Sequence, residues 1–270
     1  DIDLRVSGLA MMNNAFAESG QRDAMTLTPL MYLIMLVVMT LLLRSFGAMF
    51  SAMAVIIFAT AAAMGFAGWV GIKLTPPSSI APTVVLTLAI ADSVHILMSM
   101  LNLMRRGWKK TEALVESIRI NFQAVFLTSI TTMVGFLCLN FSDSPPYHDL
   151  GNISSFGVMW AWLLSITLLP AVVTLMPIKV SEREPISILR LGNFAEFLIR
   201  NKKKVLTSTL LGALILVSFV PTLVLNDEFV KWFDKRVPFR NDTDYMMKNL
   251  TGIYQFEYSI YSGEPEGISE

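Results

Sequence analysis

The chain has 270 residues, 54% of them hydrophobic, and its 21 basic and 21 acidic side chains cancel to zero net charge. So apolar a composition excludes an ordinary soluble domain, and the lack of net basic charge argues against a nucleic-acid partner. One cysteine, Cys138, and two histidines exclude a disulfide framework and leave too little for a metal cluster, so no cofactor is expected.

The sequence opens at Asp1 without an initiator Met and stops at Glu270 in mid-pattern, which reads as the interior of a longer protein. Residues 1–26, with "VSGL" leading into a polar stretch rich in Met, Asn and Ala, read as the end of an extramembrane domain. A helix crosses a hydrocarbon core about 30 Å thick with roughly 17–25 apolar residues, its backbone groups paired internally because no water is available. Six stretches meet that test: Leu27–Leu43, Ala48–Val70, Ser78–Met104, Asn121–Phe141, Asn152–Met176 and Val205–Leu225. Residues 27–225 therefore read as a six-helix transmembrane domain. In the second span Gly65, Gly68 and the alanines Ala59, Ala61, Ala62 and Ala63 suit close helix packing. Pro82 and Pro170, each lacking an N–H, kink the third and fifth spans or mark their ends.

Two connectors, 105–120 and 177–204, carry helical amphipathic patterns. Ala113, Leu114, Ile118 and Phe122 recur at helical spacing within Thr111–Phe122, and Ile186–Ile199 behaves similarly. Both are expected to lie along the inner membrane surface, with a plain linker helix as the competing reading. Residues 226–270 have soluble composition, with Trp232, Phe233, Phe239, Tyr245 and Tyr254 among charges. From Ile253 the run "IYQFEYSIYSG" alternates as a β-strand does. The expected fold class is an all-α polytopic membrane protein with truncated α+β extracytoplasmic segments at both ends.

Short loops rich in Lys and Arg stay in the cytoplasm. Arg44 and the two connectors hold 13 basic and five acidic residues, a net of +8, while the opposite side nets −7. Both ends of the chain are thus expected outside, as an even number of spans requires. Neutrality is a cancellation across a membrane.

One charge is left over. Asp92 alone falls inside a drawn span, where an ionised carboxylate costs about 2.5–3.5 kcal/mol to insert and marks a functional site by default. His95 follows at i+3 on the same helix face, and the stripe continues through Ser99 and Asn102. An acid beside a group that titrates near neutrality makes a proton-handling pair. The competing readings are a structural hydrogen bond for Asp92, a satisfied backbone carbonyl for His95, and solvated ends for Ser99 and Asn102. In the fourth span "TSITTMVGF" places Thr128, Thr131, Thr132 and Gly135 on one face, as relay hydroxyls or as packing contacts. No nucleophile constellation, phosphate loop or zinc motif accompanies them, so no enzyme or ATP-driven pump is expected.

The segments "PTVVLTLAIADSVHILMSMLNLMRRG", "KKTEALVESIRINFQAVFLTSITTMVGFLCLNFSD" and "LGNISSFGVMWAWLLSITLLPAVVTL" resemble, in this order, the first transmembrane half of a resistance–nodulation–division (RND) permease. More narrowly they are similar to its MMPL-like branch, related to the sterol-sensing domains of Patched-type proteins. The resemblance implies that the six spans are the family's second to seventh helices. It also places 1–26 at the end of one large outer domain and 226–270 at the start of another. Asp92 stands where the family carries its proton-relay acid, flanked by Ala91 and Ser93 where some multidrug members have two adjacent acids. The implied function is proton-motive-force-driven export of hydrophobic or lipid-like molecules across the bacterial cytoplasmic membrane. The implied partners are membrane lipids, that substrate, and a second transmembrane half of the same full-length chain; assembly into a homo-oligomer is left open. A sterol-sensing-like regulatory module that binds lipid and a SecDF-like secretion auxiliary are the alternatives.

Overall fold

A computed structural model describes residues 4–178, 187–224 and 228–250. Among them the secondary structure is helical, and six helical segments are long and apolar enough to cross a membrane: Leu9–Leu43, Phe46–Val70, Ser78–Arg105, Lys110–Phe141, Pro145–Leu175 and Lys202–Thr222. The chain divides into two compact units, residues 22–202 and a second made of residues 1–21 with 203–270.

The larger unit is built from α1 (Leu9–Leu43, shared with the other unit), α2 (Phe46–Val70), α3 (Ala81–Arg105), α4 (Lys110–Leu137), α5 (Pro145–Ile166), α6 (Leu168–Leu175) and α7 (Ser187–Arg200). Small residues decide how closely its helices approach. On α2, Ala48, Ala52, Ala59, Ala63 and Ala67 form a fully buried seam with Val55 and Ile56 between them. Gly157 on α5 is where the seam is met. A Cβ there would stand 2.3 Å from Val85 Cγ2 and 2.9 Å from Ala63 Cβ, so only glycine admits this approach of α5 to α2 and α3. Gly47 is equally committed, because its Cβ would fall 2.6 Å from the Pro177 carbonyl oxygen. Met39 and Leu43 of α1, Leu86, Ile96, Leu97, Met100 and Leu101 of α3, and Ile153 of α5 complete the core.

Several boundaries differ from those read in the sequence, each for a physical reason. α1 begins at Leu9 rather than Leu27. At 1.5 Å per residue its 35 residues reach about 52 Å, well beyond a hydrocarbon core of about 30 Å. Polar residues before Leu27 continue the helix without being apolar enough to show in a hydropathy pattern. The connector at 111–122 is not a separate surface helix. It is the first part of α4, and its apolar face packs inward, with Ala113 and Leu114 buried against the core. Lys110 at the start of α4 donates through Nζ to the Thr174 carbonyl (2.8 Å) and the Met176 carbonyl (3.3 Å), satisfying groups left open where α6 ends. α5 starts at Pro145, and both prolines named in the sequence mark helix starts: Pro82 lies in the first turn of α3, and Pro170 in that of α6, just past a break at Thr167. The second connector contains α7, a helix with a strongly one-sided apolar pattern.

In the smaller unit α8 (Lys202–Ser218) has no buried residue. Further along, α9 (Pro238–Asn249) and the turn Phe229–Trp232 close over the start of the chain. Met12, Ala15, Val230, Phe233 and Phe239 form a small core, with Phe16 packed on Phe233 at a ring-centroid distance of 4.6 Å. The Ser7 and Thr243 hydroxyls share a 2.7 Å hydrogen bond. Arg5 lies over the Tyr245 ring, 4.2 Å from its centroid. The strand expected from Ile253 lies outside the described residues.

Candidate functional site

α3 turns a face of Val85, Leu86, Ala89, Ile96, Leu97, Met100 and Leu101 into the core, spaced as one side of a helix, and Asp92 takes a position in that series. Its side chain is therefore enclosed by helix rather than presented to lipid, and Asp92 is only 4% exposed. Across from it α4 carries a narrower buried face of Ala113, Leu114, Ser117, Val125 and Ser129. Two serines of that face meet α3. Ser117 Oγ donates to the Ile96 carbonyl, one turn along from the acid. Ser129 Oγ donates to Asp92 Oδ2 at 3.2 Å. The first bond ties the helices at a fixed register, and the second brings a hydroxyl to the carboxylate.

The remaining residues singled out in the sequence stand apart from this pair. His95 lies on the exposed side of α3, and no hydrogen bond joins it to Asp92 among the described residues. Thr128 and Thr131 are exposed and Thr132 is half-buried. All three bond their own helix: Thr128 Oγ1 to the Ala124 carbonyl (2.9 Å), Thr131 Oγ1 to the Leu127 carbonyl (2.8 Å), and Thr132 Oγ1 to the Thr128 carbonyl (2.7 Å). Such back-bonding satisfies a hydroxyl without a neighbour. Ser99 is half-buried, and exposed Asn102 accepts from Arg105 at 2.9 Å.

Sequence reasoning missed Ser129, although its signal was present. Ser117, Val125 and Ser129 fall at i, i+8 and i+12, one face of a helix, and continue the apolar series that begins at Ala113 and Leu114. Treating 111–122 as a separate element hid that continuity. Ser93, fully buried beside Asp92, and Ser154 on α5 keep hydroxyls with no hydrogen-bond partner among the described residues. A buried hydroxyl of that kind costs about 1–3 kcal/mol. Asp92 thus has the Ser129 hydroxyl on it and the apolar core of α3 around it. Among the described residues no three His, Cys, Asp or Glu side chains gather as metal ligands would.

Beside the buried acid, α3 presents an exposed stripe that is small or polar instead of lipid-like: Thr83, Thr87, Ala91, His95 and Asn102. The exposed hydroxyls of Thr128 and Thr131 give α4 the same character.

MJ1562 of Methanocaldococcus jannaschii, whose name describes a membrane protein, is 27% identical over 111 residues, or 41% of this chain. The match spans 29% of that relative's length. The pattern of the MMPL family matches residues 1–210. With that pattern running through five of the six apolar helices and the buried acid, this multi-pass membrane protein belongs to the MMPL family.

Proposed function

We propose that the chain is half of a proton-driven permease that exports hydrophobic or lipid-like molecules across a bacterial cytoplasmic membrane, with Asp92 as its proton-carrying group. The observation that carries this reading is a lone carboxyl placed in the buried face of a membrane helix with, among the described residues, one hydroxyl donor, Ser129. A hydrophobic side chain would fill that position at no electrostatic cost, so an acid retained there has a use. Charged and neutral carboxylates favour different helix packings, and that difference lets protonation bias two arrangements of the bundle. A proton crossing 100 mV contributes about 2.3 kcal/mol to the bias.

In this reading the ends of the chain face outward, Arg44 and the two connectors face the cytoplasm, and the exposed stripe from Thr83 to Asn102 packs on the second transmembrane half. His95, Thr128 and Thr131 then act across that junction and not as immediate partners of Asp92. The test is export in cells carrying full-length protein with Asp92→Asn, which keeps the shape and removes the titration, alongside Asp92→Glu, which keeps the titration. Loss in the first and partial retention in the second are expected. Undiminished export with Asp92→Asn refutes the relay, and flux that persists after the proton gradient is collapsed refutes the coupling.

A further inference from the structure

Beside the alanine seam of α2, a groove of about 270 Å³ runs between α2 and α5, lined by Ala62, Gly65, Phe66, Trp69, Phe156 and Trp160. Its construction follows from Gly157. That glycine draws α5 onto Ala63 and Val85, and the side chains that flank the contact form walls on either side of it. Phe66 and Phe156 stack at a centroid distance of 4.0 Å with their planes 12° apart, and Trp160 leans on Phe156 at 6.1 Å. The floor is small, Ala62 and Gly65. A Cβ at Gly65 would meet nothing within 4 Å, so the space above it is open.

The position of the groove identifies what fills it. Trp69 stands two residues before the Gly71 cap that ends α2 and is 85% exposed, the placement of a tryptophan at a membrane–water boundary. From Trp69 to Ala62 is seven residues, about 10 Å along the helix. The groove therefore starts at one membrane surface and stops short of the midplane, which lies about 15 Å down. All six lining residues are small, apolar or aromatic, and a polar occupant at that depth would leave its groups unpaired. An apolar chain entering from the near leaflet has the right chemistry, direction and length.

We propose that this groove binds one acyl chain of a phospholipid of the near leaflet, with its head end at Trp69 and its chain passing over Gly65 toward Trp160. The inference rests on the reading of the protein as a carrier of lipid-like molecules and names where the apolar part of such a molecule docks.

The probe is a phosphatidylcholine with a photoactivatable diazirine in one acyl chain, incorporated with the full-length protein into nanodiscs of otherwise unmodified phosphatidylcholine. Cross-linked residues are mapped by mass spectrometry. A diazirine near the carbonyl end should label Trp69, and one about 10 Å further along the chain should label Ala62 and Trp160. Gly65→Leu, which fills the open space without touching existing packing, should abolish labelling. Gly68→Leu, whose side chain also enters open space but outside the groove, should leave it intact. Equal labelling in wild type and Gly65→Leu overturns the proposal, as does labelling no stronger than along the uncovered helix α8. Labelling needs no proton gradient, so the Asp92→Asn variant should label normally. A groove that labels in a protein without Asp92-dependent export sinks the transport reading alone, and the converse result sinks the groove alone.

Discussion

Gly157→Ala is expected to destabilise the bundle although it adds one methyl group. The new Cβ would lie 2.3 Å from Val85 Cγ2, 3.1 Å from Val85 Cγ1 and 2.9 Å from Ala63 Cβ, against an ordinary contact of about 3.5–4.0 Å. Neither neighbour can yield easily. Val85 is fully buried and β-branched, with one favoured rotamer in a helix, and Ala63 has no side-chain freedom at all. The helices must separate, and overpacking of this kind costs about 1–3 kcal/mol. Against that, alanine improves helix propensity over glycine by about 0.8–1.0 kcal/mol. The net loss is therefore about 0–2 kcal/mol, and with about 2–4 °C per kcal/mol for a unit of this size the melting temperature should fall by up to about 8 °C. Gly65→Ala and Gly68→Ala gain the same propensity with no clash and should raise it. The assay is thermal unfolding in one detergent for all three variants, with Gly157→Ala/Val85→Ala as a fourth that removes the closest contact and should recover part of the loss. If Gly157→Ala is stabilised as much as Gly65→Ala, the close approach of α5 to α2 and α3 is wrong.

Ser129→Ala removes the hydroxyl that reaches Asp92 and should reduce proton-coupled export, whereas Ser51→Ala, which loses a bond only to the Gly47 carbonyl of its own helix, should not; equal effects would deny Ser129 its role. Lys110→Met forfeits two bonds to carbonyls at the end of α6 and should cost about 1 kcal/mol in the same unfolding assay. Arg240→Ala breaks the bonds from Nε to Asp244 (2.7 Å) and from Nη1 to the Val230 carbonyl (2.9 Å), and should speed amide exchange across 230–249 without changing exchange in α2 or α3. Outside the membrane, the hydrogen bond from Arg236 holds the Asp234 carboxyl below the usual carboxylate range. A group depressed in the folded state contributes stability above its unfolded titration and loses it as pH falls through the folded one. Arg236→Gln should therefore move the Asp234 titration, followed by carboxyl carbon NMR, upward toward the ordinary value, and an unmoved titration would refute the pairing.

The residues that were legible in advance share one property: their chemistry is written in a short window. Apolar runs of membrane length located the six spans, because hydrocarbon leaves the backbone no alternative to a helix. Asp92 stood out for the same reason, as a charge where the surroundings forbid one. Pro82 and Pro170 announced a kink or a helix end through the missing N–H, and both fall in the first turn of a helix. Elements that failed to show did so where polar sequence continues an apolar one. The first turns of α1 carry Asn, Glu, Gln and Arg, and the start of α4 carries Lys, Glu and Arg, so hydropathy ends each helix before its hydrogen bonds do.

Sequence by itself determined that this protein lives in a membrane, how many times it can cross, and which charge has to be accounted for, since each follows from local transfer energies summed along the chain. Only the tertiary structure decided that Ser129 and not His95 meets Asp92, and that Gly157 rather than Gly65 or Gly68 sets a helix contact. The helical period places His95 and Asp92 within one turn of each other and leaves Ser129 in another helix altogether. Which of these is buried against the acid depends on how α3 and α4 are rotated, and that rotation is chosen by packing summed over a whole interface, where Ser117, Ala113 and Leu114 count as much as the residue that carries the chemistry.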